Sequence, residues 1–111
     1  MSYLGEFEQL IMFSVLQLGD NAYGVAIRDA IEERTGRAVS SGAIYTTLGR
    51  LEERGLVRSV AESAPGRAGR PRKHYQLETA GAQALLEAYT TIQAMAGGLI
   101  PKLAELTERG R

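Results

Sequence analysis

Apolar residues recur at helical spacing in the first part of the chain. Phe7, Leu10, Ile11, Val15 and Leu18 form one stripe, and apolar side chains at positions 12, 13 and 16 widen it. A helix with so broad an apolar surface packs against more than one neighbour. The pattern therefore predicts a first helix that is covered on several sides.

A second and a third helix follow after short breaks. The turn residues at 19–21 precede a second helix over about residues 22–34, and Thr35 and Gly36 terminate it. The third begins at Ser40 or Ser41, either of which can accept a backbone N–H as the N-cap. Its inward positions are Ile44, Leu48 and Leu51, and Gly55 ends it. The outer face, which is small, hydroxylated and basic, is formed by Ser41, Tyr45, Thr46 or Thr47, and Arg50.

A basic hairpin is predicted after the third helix. Residues 56–62 and 72–77 read as two strands, and the Gly/Pro-rich loop between them gathers positive charge. Four basic side chains and no acid lie between positions 67 and 73, namely Arg67, Arg70, Arg72 and Lys73. Three helices followed by a basic-tipped hairpin predict a mainly α fold, a winged helix-turn-helix with three helices and a two-stranded β wing.

The end of the chain predicts a long C-terminal helix over about residues 79–106. Its apolar residues follow 4-3 spacing, which is typical of a seam between two helices. Gly97, Gly98 and Pro101 lie inside this segment, so we expect a bend there. We therefore expect a winged helix-turn-helix domain over residues 1–77 and a dimerisation helix over 78–111. The residues expected at the homodimer contact are Phe7, Leu10, Ile11, Leu85, Tyr89, Ile92, Ala96, Leu99 and Leu103.

The composition of the chain argues against several other classes of function. The chain has 111 residues, 13 basic and 13 acidic side chains, one His and no Cys. Without cysteine there is no disulfide framework and no thiolate zinc site. We expect no metal, no cofactor and no catalytic residues, because no paired carboxylates or Ser/His/Asp arrangement occurs in a recognisable context. The apolar run at 10–16 is too short to span a bilayer, and we expect a cytoplasmic protein that does not bind membranes.

Several short motifs resemble the PadR family of bacterial transcriptional regulators. They are Tyr23-Gly24 at the start of the second helix, the segment 41–57 with its Ile-Tyr-Thr-Thr-Leu core, Tyr-Gln-Leu at 75–77, and Ala-Gly at 80–81. The resemblance covers about residues 5–90. The single C-terminal helix is similar to that of the short subfamily. It implies a dimeric repressor that is sometimes released by a small molecule.

One position departs from the family pattern. The family usually has Thr directly after the Leu that ends the second wing strand, where it caps the last helix, but here Glu78 holds that place and Thr79 follows. The cap of the last helix is therefore expected to shift by one residue.

The predicted function is a dimeric, sequence-specific DNA-binding regulator that acts as a repressor. The helix at 40–55 would enter the major groove, and the wing at 63–74 would contact the backbone or the minor groove of a roughly palindromic duplex. The residues expected to contact DNA are Ser40, Ser41, Gly42, Tyr45, Thr46, Thr47, Arg50, Arg67, Arg70, Arg72 and Lys73.

Two alternatives belong to other classes: a winged-helix module for protein interaction and an RNA-binding protein. The first would present an apolar outer face on the third helix, and the second would carry an aromatic stacking platform, which the sequence lacks. A small-molecule effector could bind at the dimer interface, in a cavity lined by Phe7, Phe13, Tyr89 and Met95, although such side chains are more often ordinary core.

Overall fold

The structure is a computed structural model that describes residues 3–62 and 72–110. Its elements are α1 (Glu6–Leu18), a 3-10 turn (Gly19–Asn21), α2 (Gly24–Thr35), α3 (Ser41–Glu53), β1 (Val57–Glu62), β2 (Arg72–Leu77), α4 (Thr79–Ala96) and α5 (Ile100–Arg109). The predicted winged helix-turn-helix order is confirmed. Within these two ranges, no helix combines the length and the apolar character that crossing a membrane requires.

The first three helices end where the sequence signals place their ends. Ser40 caps α3, since its Oγ accepts the backbone N–H of Ala43 at 3.0 Å. Gly36 after α2 and Gly55 after α3 both have a φ of 74°, a left-handed conformation that glycine adopts without a steric penalty. As predicted, α1 packs against several neighbours, namely α2, α3, β2 and α4. The largest fully buried side chains of the core are Ile11, Met12, Ile27, Ile44, Leu48, Leu51 and Val57.

The wing is an antiparallel pair whose register runs from Val57 opposite Leu77 to Glu62 opposite Arg72. A third segment extends it, because the backbone just before α2 pairs with β2. The N–H of Tyr75 donates to the carbonyl of Ala22 at 3.0 Å, next to an isolated bridge between residues 23 and 74. The beginning of α2 is thus tied directly to the wing.

The first turns of α4 belong to the core. Gly81, Ala84 and Leu85 are buried, and the N–H of Glu78 donates to the carbonyl of Leu56 at 2.9 Å. Only glycine fits at position 81, because an added Cβ would collide with that same carbonyl. Glu78 occupies the N-cap without any side-chain hydrogen bond to the helix.

The C-terminal helix is not continuous, so the predicted single long helix is wrong. It ends at Ala96, Gly97 takes a φ of 48°, and α5 begins at Ile100. Pro101 explains the interruption, since inside an unbroken helix its ring would clash with the carbonyl of Gly97. At the start of a new helix its missing N–H costs nothing. What the sequence predicted as a bend is therefore a break between two helices.

None of the residues of α5 is buried. The radius of gyration is 16.7 Å, whereas a compact chain of this length is expected near ~13 Å. Large apolar side chains of this part of the chain, including Ile92, Leu99, Leu103 and Leu106, are about half exposed or more. The end of the molecule therefore presents an extended apolar surface.

Candidate nucleic-acid interface

The outer face of α3 carries most of the side chains predicted to meet DNA. Gly42, Thr46 and Arg50 are exposed, and Tyr45 is 49% exposed. Thr47 does not belong with them, because it is only 9% exposed and lies on the buried side with the core residues of α3. The prediction that Thr47 faces outward is therefore corrected.

The two serines at the start of α3 have different tasks. Ser40 is the N-cap, whereas the Oγ of Ser41 accepts a hydrogen bond from Nη1 of Arg28 at 2.9 Å. The same guanidinium contacts Asp29, with Nη2 at 3.3 Å from Oδ1. Sequence reasoning missed Arg28, because its position beside the start of α3 depends on how α2 crosses α3. The site therefore contains a cation on α2 as well as those on the wing.

Tyr45 lies across the first residue of α2. A Cβ added to Gly24 would come within 2.5 Å of Cε1 of Tyr45 and closer still to Cζ and the hydroxyl. The absence of a side chain at Gly24 is thus what lets the ring lie there. This contact gives the Tyr23-Gly24 motif a structural reason and fixes the direction in which Tyr45 leaves α3.

The outer end of the described wing contributes two of the four predicted cations. Arg72 and Lys73 are exposed on β2, and Arg67 and Arg70 lie outside the described residues. The guanidinium of Arg72 stacks on the ring of Tyr23, 3.9 Å from its centroid. The hydroxyl of Tyr23 in turn lies 2.8 Å from both carboxylate oxygens of Glu62, to which it donates. This hydrogen bond, with desolvation and the charge of Glu62 in the same direction, raises the pKa of Tyr23 above 10.0.

A single open cleft brings these groups together. It has a volume of about 390 Å³ and lies where the start of α2, the outer face of α3 and β2 meet. Its lining is aromatic and cationic, and consists of Tyr23, Gly24, Val25, Tyr45, Arg72, Lys73 and Tyr75. Burial raises the pKa of Tyr75 above 10.0, and the negative charge of Glu52 adds to the shift. The cleft therefore joins the third helix and the wing into one surface.

The single histidine packs beneath this surface. His74 is buried, its Nδ1 lies 3.6 Å from Oε1 of Glu62, and its Nε2 lies 3.5 Å from Nε2 of Gln76. Across residues 3–62 and 72–110, no group of three or more His, Asp or Glu side chains is arranged to hold a metal ion. Nothing in the described residues thus points to metal chemistry at the base of the wing.

The residues predicted for a dimer contact divide into two groups. Ile11 and Leu85 are buried in the core of the chain itself, so the prediction that they meet a partner is corrected. Phe7 and Leu10 are partly buried against that core. The exposed group lies on α4, α5 and the break between them, and comprises Tyr89, Ile92, Leu99 and Leu103. Ala96, at the end of α4, is half-buried.

An apolar groove of about 160 Å³ adjoins the exposed group. Phe13 and Tyr89 meet there edge to face, with ring centroids 6.0 Å apart. Leu16, Leu77, Ala82, Leu85 and Leu86 complete its lining. Of the four side chains predicted to line an effector cavity, Phe13 and Tyr89 line this groove, whereas Phe7 and Met95 do not.

The fold and this surface define a winged-helix protein whose third helix and wing share one exposed, partly cationic face. The family model of the transcriptional regulator PadR-like family matches residues 12–88. The chain belongs to that family, a family of DNA-binding transcriptional regulators and not of enzymes.

Solved structures agree with this assignment. The chain is similar to a PadR family regulator from Eggerthella lenta, with 27% identity, 90% of this chain and 87% of the other covered, and a TM-score of 0.67. It is also similar to a PadR family regulator from Clostridium difficile, with 26% identity, coverage of 90% and 99%, and a TM-score of 0.67. A PadR-like regulator from Bacillus cereus, at 22% identity with coverage of 88% and 90% and a TM-score of 0.68, shares the fold. No curated protein matches the chain in sequence.

Proposed function

We propose that the chain is a homodimeric, sequence-specific repressor that places α3 in the major groove and its wing on the DNA backbone or in the minor groove. The observation that carries this proposal is the shared cleft, whose lining includes Tyr45 of α3 and both Arg72 and Lys73 of the wing. One duplex lying on this face would touch both elements. The proposed base-facing or phosphate-facing residues of α3 are Ser41, Gly42, Tyr45, Thr46 and Arg50.

The charge distribution supports phosphate contact at the wing. The whole chain is formally neutral, yet four of its 13 basic side chains lie between positions 67 and 73. A neutral protein gains little long-range attraction to DNA, so its electrostatic contribution must come from cations placed directly against phosphates. Arg72 is well suited to this role, because a guanidinium that stacks through its face keeps the N–H groups at its edge free.

Dimerisation explains the exposed apolar surface of α4 and α5. Ile92 is 65% exposed and Leu103 55%, and most of the exposed large apolar side chains of the described residues lie on α4, α5 and the break between them. We propose that the exposed apolar side chains of residues 78–111 pack against the same segment of a second copy, while residues 1–77 bind DNA. Two copies of α3 would then read half-sites about 34–36 Å apart, one turn of the duplex.

A ligand of the groove between Phe13 and Tyr89 is the proposed effector. The groove is apolar and adjoins the exposed surface of α4, so a small apolar molecule there would change how two subunits pack. Melting temperatures measured with a panel of small apolar ligands test this step, since a ligand that binds the folded protein raises its stability. A flat response would leave the groove as ordinary packing between α1 and α4.

The outer face of α3 disfavours the main alternative. A winged helix that docks on another protein would present apolar side chains there, whereas the exposed residues around Tyr45 are Gly42, Thr46 and Arg50. We therefore place DNA ahead of a protein partner.

The deciding experiment selects binding duplexes from random DNA and measures their affinity by fluorescence anisotropy at several salt concentrations, beside a scrambled duplex. Replacing both Arg72 and Lys73 by Ala should flatten the dependence of log K on log[salt] by about 1.8 units, because each phosphate contact contributes ~0.9. Replacing Lys102 and Arg109 by Ala removes the same charge from α5 and should leave the slope unchanged. Equal, weak binding of all duplexes by the wild-type protein would refute the proposed function.

A further inference from the structure

Tyr23 connects both strands of the wing to the start of α2. Its hydroxyl donates to Glu62 at the end of β1, and its ring carries the guanidinium of Arg72 at the start of β2. Glu62 and Arg72 face each other as the outermost described pair of the ladder. We call Tyr23, Glu62 and Arg72 the anchor cluster. One side chain from outside the hairpin thus holds the outer end of both of its strands.

The remaining attachments of the wing lie closer to its base. Ser59 donates to Oε2 of Glu52 on α3 at 2.8 Å, and the N–H of Tyr75 donates to the carbonyl of Ala22. Because Ser59 and Tyr75 are opposite each other, both attachments hold the same level of the ladder. With the bridge between residues 23 and 74, they leave the two outermost pairs, Ala61 with Lys73 and Glu62 with Arg72, to be placed by the anchor cluster and by the packing of His74.

The anchor cluster also solves an electrostatic problem. A free carboxylate at position 62 would repel phosphates close to the place where Arg72 should attract them. Hydrogen bonding to Tyr23 holds both oxygens of Glu62 against the side of α2, and the ring of His74 lies 3.6 Å behind one of them. Arg72, held by its face on the same tyrosine, keeps its N–H edge available for a phosphate.

We propose that Tyr23 is a positioning residue that fixes the outer end of the wing for contact with the DNA backbone, through its hydroxyl on Glu62 and its ring on Arg72. This inference rests on the proposed function, since the contact it positions is the proposed one. Without the hydroxyl of Tyr23 or the carboxylate of Glu62 that accepts its hydrogen bond, the outer end of the wing takes up several positions relative to α3.

A matched pair of variants isolates the hydrogen bond from the charge. Glu62→Gln and Glu62→Ala both remove the negative charge, but only the glutamine keeps an oxygen that can accept the hydroxyl of Tyr23. We expect Glu62→Ala to bind a selected duplex about fivefold more weakly than Glu62→Gln, the effect of one hydrogen bond of ordinary strength. In a Tyr23→Phe background, the two substitutions should give equal affinities, because the donor is absent. Equal affinities in the wild-type background would overturn the proposal.

A second measurement needs no DNA. The chain contains no cysteine, so Ala61→Cys on β1 and Glu53→Cys on α3, both exposed positions, can carry a single pair of spin labels. Diluting the labelled protein with unlabelled protein restricts the measured distances to one chain. We expect a narrow distance distribution with Gln at position 62 and a broader one with Ala, while thermal unfolding of the two variants agrees closely.

The two measurements separate the inference from the proposed function. If the wild-type protein selects no duplex, the proposed function fails, and the spin-label distances still decide whether Tyr23 positions the wing. If a duplex is selected but the Ala and Gln variants bind it equally, the positioning role of Tyr23 is refuted and the DNA-binding function stands.

Discussion

Gly24 and Gly81 both lie at close approaches in the fold, yet alanine should have different consequences at the two positions: weaker DNA binding at Gly24 and lower stability at Gly81. At Gly24 the added Cβ meets the far end of the Tyr45 side chain, within 2.5 Å of Cε1. That ring is half exposed and can turn away from α2. At Gly81 the Cβ meets the backbone of Leu56, lying 2.9 Å from its carbonyl carbon and closer still to the oxygen. Backbone in the core cannot turn away.

The sizes of the two effects follow from these contacts. Ordinary contacts of a carbon begin near ~3.5 Å, and the carbonyl oxygen of Leu56 is the nearest atom, so α4 must retreat by more than about 1 Å. That movement also stretches the hydrogen bond from Glu78 to the same carbonyl. Overpacking and a weakened hydrogen bond together cost about 2–4 kcal/mol, which lowers the melting temperature of Gly81→Ala by roughly 10–20 °C.

For Gly24→Ala the opposing contributions nearly cancel. Alanine favours a helix over glycine by up to about 1 kcal/mol, and an off-rotamer tyrosine costs about 0.5–1.5 kcal/mol. The free energy of unfolding should therefore change by less than about 1 kcal/mol. Binding to a selected duplex should nevertheless fall about tenfold, the equivalent of ~1.4 kcal/mol, because Tyr45 no longer points from α3 in its native direction.

Calorimetry at one fixed protein concentration and anisotropy with one selected duplex measure the two quantities. Gly49→Ala is the control for calorimetry: an added Cβ at position 49 has nothing within 4 Å, so only the helix preference of alanine acts and the free energy of unfolding should rise by up to about 1 kcal/mol. If Gly24→Ala melts as low as Gly81→Ala, the Tyr45 ring does not yield, and the reasoning fails at its first step. If Gly24→Ala binds DNA as tightly as the wild type, the proposed role of Tyr45 at the interface is wrong.

Three further outcomes are expected. Leu103→Glu places a charge on the exposed apolar surface and should reduce the mass measured by light scattering at micromolar concentration to that of a monomer. Lys102→Glu should not reduce it. Equal masses for these two variants would show that α5 does not take part in the dimer contact. Ser40→Ala should lower the free energy of unfolding in urea by about 1 kcal/mol through loss of the cap, and Ser41→Ala should cost clearly less; equal losses would contradict this division of tasks. Burial raises the pKa of Tyr75, so the folded state holds the phenolic proton of Tyr75 more tightly than the unfolded chain does. The contribution of this group to the free energy of unfolding is fully present below pH 10.0 and is lost as the pH rises through the folded-state pKa. Tyr75→Phe should therefore make urea unfolding less sensitive to pH above 10, and an unchanged profile would contradict this origin.

The order of elements and most of their ends could be predicted because their signals are local. Ser40, Gly36 and Gly55 mark helix ends by their own chemistry, and the spacing of Ile44, Leu48 and Leu51 defines the buried side of α3. Thr47 was predicted on the outer face of α3, although helical spacing alone places it on the buried side. It lies three residues after Ile44 and four before Leu51, which puts it on the buried stripe, but its hydroxyl suggested the outer face.

The contacts that organise the candidate interface could not be read in the same way. Tyr23 and Glu62 are separated by 39 positions, and Arg28 and Ser41 by 13. Such pairs follow from the packing of α2 against α3 and from the register of the wing, neither of which any local pattern specifies. The break after Ala96 is an intermediate case, since Gly97 and Pro101 predict an irregularity in the helix there but do not predict that the helix ends and a new one begins.

That break changes how the apolar seam should be understood. In sequence the 4-3 spacing continues from α4 into α5, but in space the seam belongs to two separate helices. A ten-residue helix with no buried side chain lacks the length to be stable alone, since isolated helices below ~12–15 residues are marginal in water. In the proposed homodimer, the partner must therefore supply the packing that holds α5 in helical form, so formation of α5 and association of the two chains are parts of one equilibrium. An effector in the groove beside Tyr89 would act on that equilibrium from the α4 side, and so on the spacing of the two copies of α3, without touching the face that meets DNA.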